Sequence, residues 1–363
     1  MIYRAFVLLI AVILAAWPLS TGMDVSAQDG AASAAAMSID DLGLPVGASD
    51  ATPVDIDNNG TIVVIGIDDE GESVFLYESG AFRHIGGEAA TSSIHATAIN
   101  DNGIISGWTE RDDGAIGALI IGIENLVEMP GETASSRALA VNSEGILAGE
   151  ATFDGSDPMA SPVYWTSTTV ERLPSAGAGS WGAVNDLNTI EQLAGWSAID
   201  AEGNERHATV WINDAPTDLG TLGGLLSDAR AINEIGQIVG VSTTSDEQTG
   251  FDSDGSSAFL WHDGSMTNLG LGEAHSWAMA NDINDTGLIT GTVGNLSADD
   301  PSTATSAVIW TGSALLDLND ISAGAGDLHL SEGVAINNFG QIICRAFDAG
   351  GNPHVVVLTV LGN

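Results

Sequence analysis

The sequence predicts an all-β fold: a seven-bladed β-propeller of four-stranded blades, closed by pairing an N-terminal strand with the last blade. Three observations predict it. One motif recurs seven times: a small or apolar residue, Ile-Asn, two turn residues, Gly, and an apolar pair ending in Gly. Its Asn or Asp falls at 57, 100, 142, 188, 233, 284 and 337, a period of about 47 residues, in the range that marks propeller blades. Each period also holds four short apolar segments, with no sustained helical periodicity beyond the N-terminal apolar run. Finally, the ends complement each other. The seventh copy stops soon after its third strand, and Ser38-Ile39-Asp40-Asp41-Leu42-Gly43, ahead of the first copy, matches a fourth. A ring shut in this way leaves no long strand edge to aggregate.

Taken in order, residues 1–27 read as a signal peptide. Arg4 precedes an apolar run from Ala5 to Trp17, and the small residues Val25-Ser26-Ala27 place a cleavage site before Gln28. That run is too short to cross about 30 Å of hydrocarbon, which takes about 20 helical residues. No later stretch does better, so the chain is expected to be secreted, extracellular or periplasmic, and not an integral membrane protein. Residues 28–37 form a flexible leader, and 38–363 a single propeller. Within each copy the residues up to Ile-Asn make the first strand. The Gly supplies a turn with positive φ, and the apolar pair starts the second strand. A variable acidic loop follows, then an apolar third strand such as Val74–Tyr77 or Ala258–Trp261. A fourth ends in Leu and often Gly, as in Asp218-Leu219-Gly220. The fourth copy departs from the pattern, with Glu191 where the others have Gly.

At these residues the chain resembles the extracellular HAF repeats, named for a His-Ala-Phe tripeptide. Ala231 to Gly240 matches that family's A-I-N-x-x-G-Q-I-V-G element, and Leu219-Gly220-Thr221-Leu222-Gly223-Gly224 its D-L-G-T-L-G-G element. The tripeptide is scattered, with His207-Ala208 in one copy and Ala258-Phe259-Leu260-Trp261 in another. The resemblance spans residues 38–363. It implies secretion and a propeller-like β fold, and it implies no reaction, cofactor or catalytic residue.

Charge narrows the function. Against 49 acidic residues stand 8 basic ones, all arginine, for a formal charge of −41. That balance excludes sequence-independent binding to nucleic acid or anionic membrane, both of which need clustered positive charge. Cys344 is the single cysteine, so no disulfide framework exists. Carboxylate repulsion is mostly screened near 1 M salt, where the Debye length falls to about 3 Å. The acidic surface thus fits a halotolerant protein, with Ca²⁺ sites as the competing explanation.

The chemistry-bearing candidates are few. Asp55-Ile56-Asp57-Asn58-Asn59-Gly60 opens like a calcium loop, but its twelfth position is Gly66 rather than Glu. It reads as a structural turn in register with six others. Asp252 and Asp254, in the longest variable loop, are weak metal candidates. The aromatic series Tyr77, Trp165, Trp211, Trp261 and Trp310 recurs at one third-strand position and reads as packing between blades. Trp181 and Trp277 lead into the first strands of copies four and six, and His95, Arg137, Arg230 and His275 enter from equivalent junctions. In a propeller these lie at the mouth of the central channel, so the six form the candidate binding surface. The seven histidines lack metal-ligand spacing, Cys344 reads as a small buried residue, and no nucleophile elbow appears. The expected function is a secreted, non-enzymatic, monomeric binding or envelope-associated module with a glycan or protein ligand. The alternative is a glycan-active hydrolase or lyase, which calls for two inward-facing carboxylates about 5–10 Å apart.

Overall fold

The computed structural model describes residues 37–360, apart from residues 70, 87–93, 111–113, 115, 123–125, 132, 154–158, 248–249, 252–253, 273–274, 297–303, 313 and 322–325. The segments expected to be a signal peptide and, apart from residue 37, a leader lie outside these residues. Seven four-stranded antiparallel sheets follow one another along the chain. Blades 1 to 7 begin with the inner strands Asp50–Ile56, Ile94–Ile99, Ser135–Val141, Gly182–Leu187, Ser227–Ile232, Trp277–Ile283 and His329–Ile336. Blade 1 continues through Ile62–Asp68, Gly71–Glu78 and Ala81–Gly86 in simple up-and-down order.

Blade 7 closes the ring. Its outermost strand is Met37–Gly43, paired with Pro353–Val360 in the register Ser38 to Thr359 and Asp40 to Val357. A side-chain contact seals the join: the His354 ring Nδ1 lies 3.0 Å from the Asp41 carboxylate. Blade 4 repeats the arrangement, with His207 Nδ1 2.9 Å from Asp218. In both blades the same carboxylate accepts the N–H of the Gly two residues on. The His of the third strand and the Asp of D-L-G are therefore two halves of one lock between adjacent strands. One helical turn, Leu318–Ile321, departs from the all-strand expectation. It sits in the connection from blade 6 to blade 7, where Leu-Asn replaces the Leu-Gly of other copies.

Seven apolar clusters fill the seven gaps between neighbouring blades. Trp165, Trp211 and Trp310 are each at most 1% exposed, and each packs across such a gap, Trp310 for instance against Ala231 and Val239 of blade 5. Burying a side chain of this size is worth about 1.5–3 kcal/mol or more, which explains the recurrence without a ligand. Cys344 belongs to the same core; burial pushes its thiol well above the ordinary range, so it is not a nucleophile.

The repeated Asn does two jobs at one end of the inner strands. Its Oδ1 accepts N–H groups of its own turn, as Asn100 does from Asn102 and Ile104. Its Nδ2 reaches the next blade and donates to the main-chain oxygen of the next repeated residue. Asn100 to Asn142 spans 2.7 Å, and the series runs on through Asn188, Asn233, Asn284 and Asn337 to the oxygen of Asp57 at 3.0 Å. The Asp57 side chain has no N–H to pass on, and Asn59 Nδ2 donates to the Asp101 main-chain oxygen instead. The result is a closed belt of side-chain-to-backbone hydrogen bonds, six of them buried and the closing one from Asn59 exposed. It also fills the Asp57 carboxylate with the N–H groups of Asn59 and Thr61, so the calcium-like loop is a turn.

Candidate functional site

Which residues face the channel is set by a bulge. Every inner strand shifts register three residues before its ring residue, at Val54, Thr97, Leu139, Asn185, Arg230, Asn281 and Val334. An extra residue in one strand of an antiparallel pair turns its side chain out of the ladder. These side chains are half-buried, whereas their neighbours one position earlier are buried. The motif's closing Gly follows from the same geometry. A Cβ at Gly107, Gly149, Gly195, Gly240 or Gly291 would come within 1.9–2.2 Å of an inner-strand carbonyl oxygen. The bulged residues also bind blades together: Thr97 donates to Ala138 O, Asn185 to Ala229 O, and Asn281 to Gly333 O.

Next to the bulges, on the ring side, blades 1, 4 and 6 carry Asp55, Asp186 and Asp282. The charges of Asp282 and Asp186 help to raise the pKa of Asp55, and that of Asp282 helps to raise Asp186, although their blades are not adjacent. Burial pushes Asp186 up to about 7 and Asp282 to about 6, and Asp55 lies well above its ordinary value for the same reason. A raised carboxylate suits a general acid. Here, however, both oxygens of each are taken. Asp186 accepts the N–H of Leu187 and, from the next blade, of Ile232, each at 2.8 Å; Asp55 and Asp282 make the same pairs with Ile56 and Ile99 and with Ile283 and Ile336. Each carboxylate is a strut between two inner strands.

The opposite end, where the inner strands begin, is chemically different. Four of the six described arginines lie there, three held over aromatic rings. Arg137 sits 5.1 Å from the Trp108 ring, which also stacks on His95 at 3.7 Å, and it pairs with Glu150 at 2.7 Å. Arg206 lies between Trp196 and Phe251, 4.7 Å from each ring, and pairs with Asp228 at 2.8 Å. Arg345 lies over Phe347 and contacts Asp50 at 2.8 Å. Rings hold a guanidinium in a fixed orientation and leave its edge to donate. Arg230 is the fourth. It projects from the bulge of blade 5, donates to Asn281 Oδ1 at 3.0 Å and touches Met279 Sδ, and among the described residues it is the arginine of this mouth with no carboxylate ion pair.

The six residues singled out in the sequence thus separate. His95 and Arg137 come together around Trp108, and Arg230 lines the channel. Trp277 does not face the channel: it is 8% exposed, and its indole occupies the space beside Gly294, where a Cβ would come within 2.1 Å. Trp181 covers Gly203 in the loop of its own blade in the same way. His275 stays in the loop before blade 6, its Nδ1 3.0 Å from the Leu271 oxygen. Asp252 lies outside the described residues, and among those described no group of three His, Cys, Asp or Glu could hold a metal ion. Arg206 and Asp228 went unnoticed in the sequence because 22 residues separate them. The three struts were equally hidden, though Asp in place of Ala two residues before the repeated Asn was a visible signal.

No family profile and no curated protein sequence matches the chain. Solved structures do. A streptogramin B lyase superposes with a TM-score of 0.53 at 10% identity, covering 90% of this chain and 98% of that one. The β-propeller domain of the trilobed protease from Pyrococcus furiosus superposes with a TM-score of 0.49 at 12% identity, covering 76% of this chain and 85% of that one. At these identities the likeness is one of fold.

Proposed function

We propose that the chain is a secreted, non-enzymatic binding module of the HAF-repeat kind, taking an oxygen-rich ligand at the channel mouth opposite the asparagine belt. The observation that carries this reading is Arg230, a guanidinium at the channel mouth that forms no ion pair among the described residues, although the Asp228 carboxylate lies within its field, accompanied by arginines that aromatic rings hold in place. Guanidinium groups so placed suit a carboxylate or paired hydroxyl groups. A charge of −41 repels long polyanions, so a short sugar with one or two acidic groups fits better than a polymer. The competing reading, a hydrolase or lyase acting on glycans, has the raised carboxylates of Asp186 and Asp282 in its favour. It must then free oxygens that now hold two blades together.

The test is calorimetric titration in 0.5 M NaCl with digalacturonate and, as the neutral control, cellobiose. Digalacturonate is expected to bind more tightly, and Arg230→Ala to weaken it at least tenfold while the melting temperature is unchanged. Equal affinity of the variant sinks the reading. Shortened or unsaturated products from polygalacturonate would favour the enzyme instead.

A further inference from the structure

On the face that carries the asparagine belt, a cleft of about 370 Å³ opens between blades 3 and 4. Its lining is mixed: Ile146 and Tyr164 from blade 3 and Leu187, Leu193 and Ile212 from blade 4 supply apolar surface, and Gln192 and Asn213 polar groups. Ile190 at its edge is 66% exposed. Two carboxylates, Glu191 and Asp214, line the same space.

Those two residues share a property that links them to the cleft. Both hold a left-handed backbone, with φ of 58° at Glu191 and 62° at Asp214. Glu191 stands where the other six copies have glycine in the turn after the inner strand. Asp214 is the second residue of the hairpin loop joining the third and fourth strands of its blade, the place of Gly80 in blade 1 and Gly264 in blade 5, whose φ values are 83° and 78°. Glycine takes this conformation without steric cost, and a residue with a Cβ does not. Blade 4 therefore forgoes glycine at these two positions, in two separate turns, and both times the gain is a carboxylate in one cleft. Strain kept where glycine would relieve it points to a role outside folding. The field in the cleft agrees: burial, Asp214, Glu171 and Glu191 all hold the Tyr164 hydroxyl above its ordinary range.

We propose that this cleft binds a small aliphatic ammonium ion, its hydrocarbon part against the isoleucine and leucine walls and its charged head between Glu191 and Asp214. The volume is that of a small-molecule site. A lining that pairs aliphatic side chains with two carboxylates and the amides of Gln192 and Asn213 suits an organic cation better than a metal ion, which wants a full shell of oxygens. The inference stands apart from the channel mouth, which lies on the other face.

The experiment is calorimetry in 0.1 M NaCl with n-hexylammonium, using 1-hexanol and Na⁺ as controls, on the full chain and on Glu191→Gly and Asp214→Gly. Each variant restores the glycine that equivalent turns carry, so each should fold and melt no lower than the parent. One saturable site is expected, at least tenfold tighter for hexylammonium than for hexanol, and weakened at least fivefold by either glycine. Arg230→Ala should leave it unchanged. Equal binding of hexanol, unchanged affinity in both variants, or non-saturable uptake over the acidic surface would each overturn the proposal.

Discussion

The two ends of the inner strands obey different rules. At the ring end, six of seven blades place the same residue, Asn, in the same contact with the next blade. Five and three residues upstream the blades diverge: Arg137, Asp228 and Met279 occupy the first of these positions, and Leu139, Arg230 and Asn281 the second. Identity between copies marks a task every blade must perform, because each interface has to be made before the ring can close. Difference marks a surface seen once, by a ligand meeting several blades together. The contrast places stability at one end and, on the proposed reading, recognition at the other.

Removing residues 37–43 should break it most severely. Blade 7 would lose the strand that pairs with Pro353–Val360 along its full length, and the freed edge would aggregate. A soluble truncation with an unchanged melting temperature would show that the ring does not depend on this closure. Asn233→Ala is the next largest. It strands the Asn284 oxygen and the Gln237 N–H and Oε1, partners at 2.8–3.1 Å, at a cost of about 2–4 kcal/mol. Urea denaturation measures this; a loss below 1 kcal/mol would make the belt ornamental.

The struts sharpen the comparison through pH. Asp186 and Asp282 have folded pKa values of about 7 and about 6, raised from 3.8, so the folded chain holds their protons more tightly than the unfolded one. Their contribution is thus fully present below pH 4 and is lost as pH rises through about 6 and 7. Asp186→Ala, the residue at this position in four blades, should flatten the fall between pH 4 and 7 by about 2 kcal/mol, less than the full shift because the residue is partly exposed. A pH profile identical to the parent's would show that the carboxylate is ionised throughout. Smallest is Glu191→Gly, expected to stabilise by about 1 kcal/mol as the left-handed strain is relieved. Destabilisation would mean that the side chain supports blade 4 rather than lining a site.

The sequence was most informative where copies agree. The repeated Asn and the following Gly fixed blade number and turn positions, and Ser38–Gly43 revealed the closure. The bulges were not legible. One extra residue per inner strand moves the channel face by one position, and no residue type announces it; Leu139 and Arg230 occupy the same bulge with nothing in common. Trp277 misled for a related reason. Its place matches that of Trp181, but Gly294 on the strand beside it makes room for the indole inside the blade. The Arg206 to Asp228 pair joins a third strand to the next blade's first, and the repeat period gives no hint of it. The Asp for Ala exchange at 55, 186 and 282 could be read, though only the structure shows a strut rather than an acid.

The division of labour between the two ends is tested most directly by mapping where a ligand protects the chain. Hydrogen exchange with and without saturating digalacturonate should slow at the starts of the inner strands of blades 2, 3 and 5, around His95, Arg137 and Arg230, and leave the turns that follow Asn188, Asn233 and Asn284 unchanged. Protection confined to those turns, with none at the mouth, would contradict it.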